Sequence, residues 1–217
     1  MSNTDNKTTI YLIRHGVTDF NQARKFQGSS DIPLNEAGRA QAAKLSKRIL
    51  ESGIKVDKVY VSKLIRTRQT IQPLLDELGI DAEEIDGIEE INAGDMEGVE
   101  FNALVEQYPE VMKKYNESPY EVDMPTGESG AEVYKRGSEA FEKIVKEHPG
   151  KTVLVISHGF LIQLLLGYIK GTPTSEIGYN VHRNTAVTKI EIDSNGNKEV
   201  VYEGDDSHLD LESRTGL

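Results

Sequence analysis

Apolar positions along this chain fall into two kinds of run. Short runs rich in β-branched and aliphatic residues recur at Thr8–Ile13, Lys58–Val61 and Lys151–Ile156. The last is almost wholly apolar, as a central strand covered on both faces would be. Between them lie longer stretches with apolar residues three and four positions apart, which predict amphipathic helices. One runs from Glu36 to about Ser52, with Asn35 as N-cap, Ala42, Ala43, Leu45 and Ile49 on one stripe, and Gly53 as the stop. A second runs from Lys63 to Leu78, with Ser62 read as its cap and Gly79 ending it. A third follows the Pro125–Ser129 turn and reaches about Glu147, and a fourth, strongly apolar, spans Phe160 to about Ile169. Glu83–Ile88 predicts a short strand. Thr185–Ile192 and Lys198–Tyr202 predict a hairpin around Ser194–Asn197. Strands that alternate with helices imply an α/β protein with an open, largely parallel sheet.

The 217 residues suit one domain, with a core over about 8–203, a lid-like insertion over 92–125 broken by Pro109 and Pro119, and an acidic, frayed tail over 204–217. With 37% hydrophobic and 28% charged residues the chain reads as soluble and globular. A formal net charge of −11 argues against nucleic acid or an anionic membrane surface as a partner. Any anion site must then be a local cluster of Arg and His. Cysteine is absent, which removes disulfides and thiolate chemistry. The polar stretch Met1–Lys7 has no apolar core of a signal peptide, and the longest apolar run is too short to cross a bilayer, so a cytoplasmic location is expected. The pattern sets no oligomeric state.

In open parallel sheets, ligands bind beyond the carboxyl ends of the strands. Arg14-His15-Gly16, Ser62 with Arg66, and Ser157-His158-Gly159 all fall at such ends. Glu90 lies in an acidic, glycine-punctuated loop after another predicted strand. Each piece has a plain alternative: a surface Arg-His pair, solvated arginines, a hydrogen-bonded core histidine, simple acidity. Two strands that each deliver a His-Gly unit are harder to dismiss. Two Arg, two His and one Glu around one pocket suit phosphoryl transfer. Arginine matches phosphate oxygens with bidentate geometry, imidazole can take the phosphoryl group, and a carboxylic acid can protonate the departing oxygen. No Asp-rich cage or Gly-Lys-Ser/Thr phosphate loop is present, which favours a route needing neither metal nor cofactor. The expected partner is a small phosphorylated metabolite.

These residues, in this order, resemble the histidine phosphatase (phosphoglycerate mutase-like) superfamily over about residues 8–192. The resemblance rests on Arg14-His15-Gly16, Thr18, Asn21, Gln27-Gly28, Pro33-Leu34, Ser62 through Thr70, Glu90, Gly94, Glu97-Gly98, Gly127-Glu128-Ser129 and Ser157-His158-Gly159. It implies a three-layer α/β/α sandwich with a mostly parallel mixed sheet. It also implies roles: His15 as the nucleophile that becomes phosphohistidine, Glu90 as acid and base, and Arg14, Arg66 and a protonated His158 as phosphoryl ligands. Asn21, Gln27, Gly28 and Gly159 would line the phosphate pocket.

Three readings differ in where the phosphoryl group goes. A phosphatase gives it to water, a cofactor-dependent phosphoglycerate mutase to another hydroxyl, and a phospholigand-binding protein keeps it. Ser29, Ile91, Phe20, Met96 and Gln163 depart from residues frequent in the mutases or the wider family, and only Lys113 and Lys114 are cationic in the insertion. A second cationic anchor for a carboxylate-bearing substrate is therefore missing from that segment, which favours hydrolysis. A binder would be expected to have lost His15, an arginine or Glu90, and all are present.

Overall fold

A computed structural model describes residues 7–214. Residues 1–6 and 215–217, and the expectations drawn from them, lie outside the described residues. Six strands form one sheet: β1 (Thr8–Arg14), β2 (Lys58–Val61), β3 (Glu83–Glu84), β4 (Thr152–Ser157), β5 (Val187–Ile192) and β6 (Lys198–Asp205). Their order is β3-β2-β4-β1-β5-β6. The first four are mutually parallel, and β5 and β6 extend the sheet antiparallel. The helices are α1 (Asp19–Gln22), α2 (Glu36–Glu51), α3 (Ile65–Leu78), α4 (Phe101–Gln107), α5 (Pro109–Glu117), α6 (Gly130–Glu147) and α7 (Gly159–Lys170).

Alternation along β1 explains the layering. Ile10 and Leu12 face a cluster built with Val133, Phe141 and Ile144 of α6 and Leu161 and Leu165 of α7. Tyr11 and Ile13 face a second cluster with Leu45 and Ile49 of α2 and Ile71, Leu74 and Leu75 of α3. Successive strand residues point to opposite faces, so a strand apolar at every position must be covered twice. The result is the expected α/β/α sandwich. Burying each Ile or Leu contributes about 1.5–3 kcal/mol relative to leaving it in water.

Three local expectations change, and one short helix is added. Ser62 does not cap α3: the helix begins at Ile65 after an uncapped Leu64, and the Ser62 hydroxyl turns to His158 instead. The strand expected over 83–88 shrinks to two residues, because β3 is the sheet edge and has only β2 to pair with. One element is added that the apolar pattern does not announce: Thr18 and Asn21 form a capping box that closes the single turn of α1. Residues 206–214 are not frayed: Leu209 is buried, Lys44 pairs with Asp210, and Gln41 donates to the Ser213 carbonyl. Within 92–125, Met96, Leu104, Met112, Tyr115, Val122 and Met124 belong to the same apolar cluster as α6 and α7. No helix among the described residues is long and apolar enough to cross a membrane.

Candidate active site

The β1–β4 register places Arg14 opposite Ser157, so His15 and His158 leave neighbouring strands at one level. Their ring centroids are 5.2 Å apart. A glycine follows each histidine for a packing reason. A Cβ on Gly16 would lie 2.9 Å from the Gly38 carbonyl of α2, so this glycine admits a helix rather than a left-handed turn. A Cβ on Gly159 would lie 2.9 Å from Val181 and 3.2 Å from Arg14 Nε, so this one leaves room for the guanidinium.

The His15 ring is buried, and its Nδ1 lies 2.7 Å from the Gly16 carbonyl. A carbonyl only accepts, so Nδ1 carries the proton and Nε2 holds the lone pair. Nε2 makes no hydrogen bond among the described residues. Burial first, then the charges of Arg66 and Arg14, push the ring's pKa well below its ordinary value, against an upward pull from the Gly16 hydrogen bond. The ring is therefore neutral at neutral pH. Asn184 holds the His15 carbonyl through a 2.8 Å bond, which fixes the backbone beneath it.

His158 is fully buried and wired differently. Its Nδ1 accepts from Arg66 Nε at 3.2 Å, and its Nε2 lies 2.7 Å from the Ser62 hydroxyl. Burial, then Arg66, then His15 push its pKa well below the ordinary value. Against the expectation of a protonated ring stands an Nδ1 that accepts from Arg66, and a dry interior beside a guanidinium disfavours a second positive charge.

The two arginines also part company. Arg66 has no solvent exposure and uses all three nitrogens within the protein: Nε to His158, Nη1 to the Ser30 carbonyl at 2.6 Å, and Nη2 to the Gly28 carbonyl at 2.9 Å. Burial lowers its pKa to about 10, with Glu90, Asp31 and Glu97 opposing, so it remains charged. Arg14 donates Nη1 to the His182 carbonyl, but its buried Nε has no acceptor. An unpaired buried donor is costly, and an oxyanion in the cavity would satisfy it.

Glu90 is held at the amino end of α7, accepting from Phe160 N–H at 3.1 Å and Leu161 N–H at 3.2 Å. Its loop is clamped from behind. Arg136 of α6 donates to the carbonyls of Gly87, Glu89 and Glu90 at 2.7–3.1 Å and pairs with Glu128 at 2.9 Å. Glu128 in turn accepts from Asn92 N–H.

Arg14, His15, Asn21, Gln27, Gly28, Glu90 and Gly159 all line one cavity of about 70 Å³, and Arg66 and His158 lie behind its wall. Asn21 Oδ1 accepts from Thr18 N–H, and Gln27 Oε1 accepts from the Thr18 hydroxyl. Gly28 adopts φ +52, and a Cβ there would lie 2.3 Å from a Glu97 oxygen. Phe101, Tyr115, Phe160 and Tyr179 supply an apolar wall, with Tyr115 stacked on Phe160 at 5.1 Å. A broader cleft of about 790 Å³ shares Glu90 with the cavity. Four residues escaped sequence reasoning in these roles. Glu97 anchors the 28–30 loop through Ser29 and Ser30, Arg136 clamps the Glu90 loop, and Arg24 and Lys25 stand at the cavity mouth. Glu97 and Glu128 lay in segments singled out for resemblance, but their partners are 67 and 8 residues away.

Fold and site together define a phosphoglycerate mutase-like α/β protein that presents two histidines from adjacent parallel strands. The chain belongs to the histidine phosphatase superfamily (branch 1), whose family model matches residues 10–205. Phosphoglycerate mutase-like protein 4 of Arabidopsis thaliana is 31% identical over 203 residues, covering 93% of this chain and 86% of that protein. Among solved structures, Bacillus stearothermophilus YhfR is 32% identical with a TM-score of 0.86, covering 94% of this chain and 100% of that one. A phosphoserine phosphatase from Entamoeba histolytica, in complex with 3-phosphoglyceric acid, is 27% identical with a TM-score of 0.79, covering 93% of this chain and 99% of that one.

Proposed function

We propose that this protein hydrolyses phosphomonoesters without a metal, through a phosphohistidine on His15. One observation carries the reading: the unpaired Nε2 of a neutral His15 shares a cavity with the unpaired Nε of Arg14 and the carboxyl group of Glu90. Nucleophile, anion donor and proton carrier are thus at hand together.

The chemistry follows from those roles. The phosphoryl group enters against Arg14, whose fixed donors stabilise the charge that redistributes over its oxygens. His15 Nε2 attacks phosphorus in line as the ester oxygen departs, and Glu90 gives that oxygen its proton. Water then attacks phosphorus, Glu90 takes the water proton, the N–P bond breaks, and inorganic phosphate leaves a regenerated His15. Once phosphorylated, His15 keeps its Nδ1–H bond to Gly16, so the ring need not turn between the two half-reactions. Arg66 acts from behind, fixing His158 and the carbonyls of Gly28 and Ser30.

Hydrolysis is favoured over transfer to a second substrate by the make-up of the cavity wall. The 92–125 segment contributes Phe101 and Tyr115 to it and no cation. The Entamoeba relative is itself a phosphatase with a phosphorylated acid bound. The test incubates the protein with p-nitrophenyl phosphate, and separately with 3-phosphoglycerate plus 2,3-bisphosphoglycerate, in EDTA. Phosphate release without isomer exchange is expected. Isomer exchange faster than hydrolysis would make the protein a mutase, and inactivity in both would make it a binder.

A further inference from the structure

The tail that follows β6 is tied to the chain on both sides of His15. The first tie runs through the turn before β5. Asn184 donates to the His15 carbonyl at 2.8 Å, and Thr185 N–H lies 3.0 Å from the Arg14 carbonyl and 3.3 Å from that of His15. Arg14 N–H donates back to the Ala186 carbonyl at 3.2 Å. Thr185 makes these contacts at φ +59, a sign of φ shared with only one other non-glycine, Arg24, among the described residues. For a β-branched residue this backbone is strained, and it persists only where its surroundings hold it. The side chain is held from the tail: Thr185 Oγ1 lies 3.0 Å from His208 Nε2.

The proton on that bond can be assigned. Arg48 Nη1 lies 3.2 Å from His208 Nδ1, and a guanidinium only donates, so Nδ1 holds the lone pair. Nε2 then carries the proton and donates to the Thr185 hydroxyl. Burial, then Arg48, lowers the His208 pKa to about 4, so the neutral ring keeps this bond at neutral pH.

The second tie runs through Gln41 of α2, which is buried. Its Oε1 accepts from Val17 N–H at 3.0 Å, and its Nε2 donates to the Ser213 carbonyl at 2.8 Å. Between the two ties the tail is seated by buried Leu209 and by the pair of Lys44 with Asp210. Residues 14–17 are thus gripped before and after the nucleophile by contacts that end in one short segment, 208–213. Gln41, Thr185 and His208 are not among the residues that line the cavity, so any effect they have on the chemistry passes through that backbone.

We propose that the tail is a positioning strap for the nucleophile, attached at Thr185–His208 on one side and Gln41–Ser213 on the other. It holds the backbone of 14–17 so that His15 Nε2 stays in line with phosphorus. This rests on the phosphohistidine reading of His15.

The test measures kcat and KM with p-nitrophenyl phosphate well below the unfolding midpoint, with the folded fraction read from each unfolding curve. Thr185→Val removes the acceptor and keeps the shape, His208→Ala removes the donor, and Gln41→Leu removes the second tie. Each should lower kcat per folded molecule about ten-fold and leave KM within about two-fold, since a small misplacement of the attacking atom is costly while the phosphate ligands are untouched. Thr185→Ser keeps the hydroxyl and should restore the wild-type kcat. Thr185→Val combined with His208→Ala should be no slower than either alone, whereas His208→Ala combined with Gln41→Leu should multiply the losses, as separate ties would. A second readout needs no turnover: the Nδ1–H proton resonance of His15, identified by its loss in His15→Gln, should shift in His208→Ala. A lowered Tm with kcat per folded molecule unchanged, or Thr185→Ser as slow as Thr185→Val, would reduce these contacts to fold stability and overturn the strap. If the wild-type protein releases no phosphate, the phosphatase reading alone fails and the resonance decides: a shift in His208→Ala keeps the strap, and an unmoved signal overturns it.

Discussion

The carboxyl ends of β1 and β4 carry the same short pattern, a polar residue, a histidine and a glycine, in matching register, and put it to different uses. At β1 the histidine bonds only its neighbour's carbonyl, and Nε2 is left at the cavity. At β4 both ring nitrogens are engaged, one by Arg66 and one by Ser62, and the ring is not among the residues that line this cavity. The arginines divide the same way: Arg14 keeps a donor without an acceptor, whereas Arg66 uses every nitrogen. The lesson is that a histidine's role follows from which nitrogen its neighbours leave unpaired. Residue type and strand position are shared by both.

The largest expected effect separates the two rings directly. His15→Ala should lower kcat/KM by about 10⁵ or more, since each decade is about 1.4 kcal/mol of lost transition-state stabilisation and covalent catalysis is lost outright. His158→Ala should cost about 10²–10³, as expected when a positioning network is broken rather than the nucleophile removed. Phosphate release with p-nitrophenyl phosphate measures both. Equal losses would erase the distinction.

A smaller effect tests the clamp behind Glu90. Arg136→Lys keeps the charge but loses the fork that reaches three carbonyls. If Glu90 protonates the leaving oxygen, displacement there should slow an alkyl phosphate about ten-fold more than p-nitrophenyl phosphate, whose leaving group needs little protonation. Uniform slowing of both would assign Arg136 to general stability.

The smallest effect is a slope in pH. His15 and His158 both have folded-state pKa values below the unfolded value near 6.5. Below pH 6.5 the unfolded chain therefore binds more protons than the folded one. The stability they contribute is fully present above that pH and is lost as pH falls toward the folded values, by up to about 1.4 kcal/mol per pH unit per histidine. His208, lowered to about 4 by burial and then by Arg48, adds in the same sense. Thermal unfolding at pH 7.5, 6.5 and 5.5 should show a falling Tm, and His15→Gln should flatten the slope by one histidine's share. A Tm independent of pH across this window would contradict the buried, neutral pair. The acid limb of kcat/KM should likewise have its midpoint below 6.5.

Much of this arrangement was legible from residue order because it is written in short-range patterns. β1 and β4 announced themselves as doubly buried runs, and strand-terminal His-Gly units marked the edge where ligands bind. What escaped is long-range or small. Ser62 looked like a helix cap because serine before a helix usually is one, yet a partner 96 residues away claimed its hydroxyl. Ile85 and Ile88 made 83–88 look like a strand, but they are buried from loop backbone at the sheet edge. Arg24 and Lys25 carry no local signal, since nothing near them in sequence reveals that their turn is tied to the start of α4. The charge state of His158 needed its burial, which only the folded packing sets.

The most direct measurement is the position of the phosphoryl group in the trapped intermediate. Protein quenched in alkali during turnover, where phosphohistidine survives, can be digested and mapped by mass spectrometry, with ³¹P NMR assigning the ring nitrogen. The account predicts phosphate on Nε2 of His15, formed and lost at rates that match turnover. Phosphate on Nδ1 of His15, phosphate on His158, or full turnover with no modified histidine would contradict it.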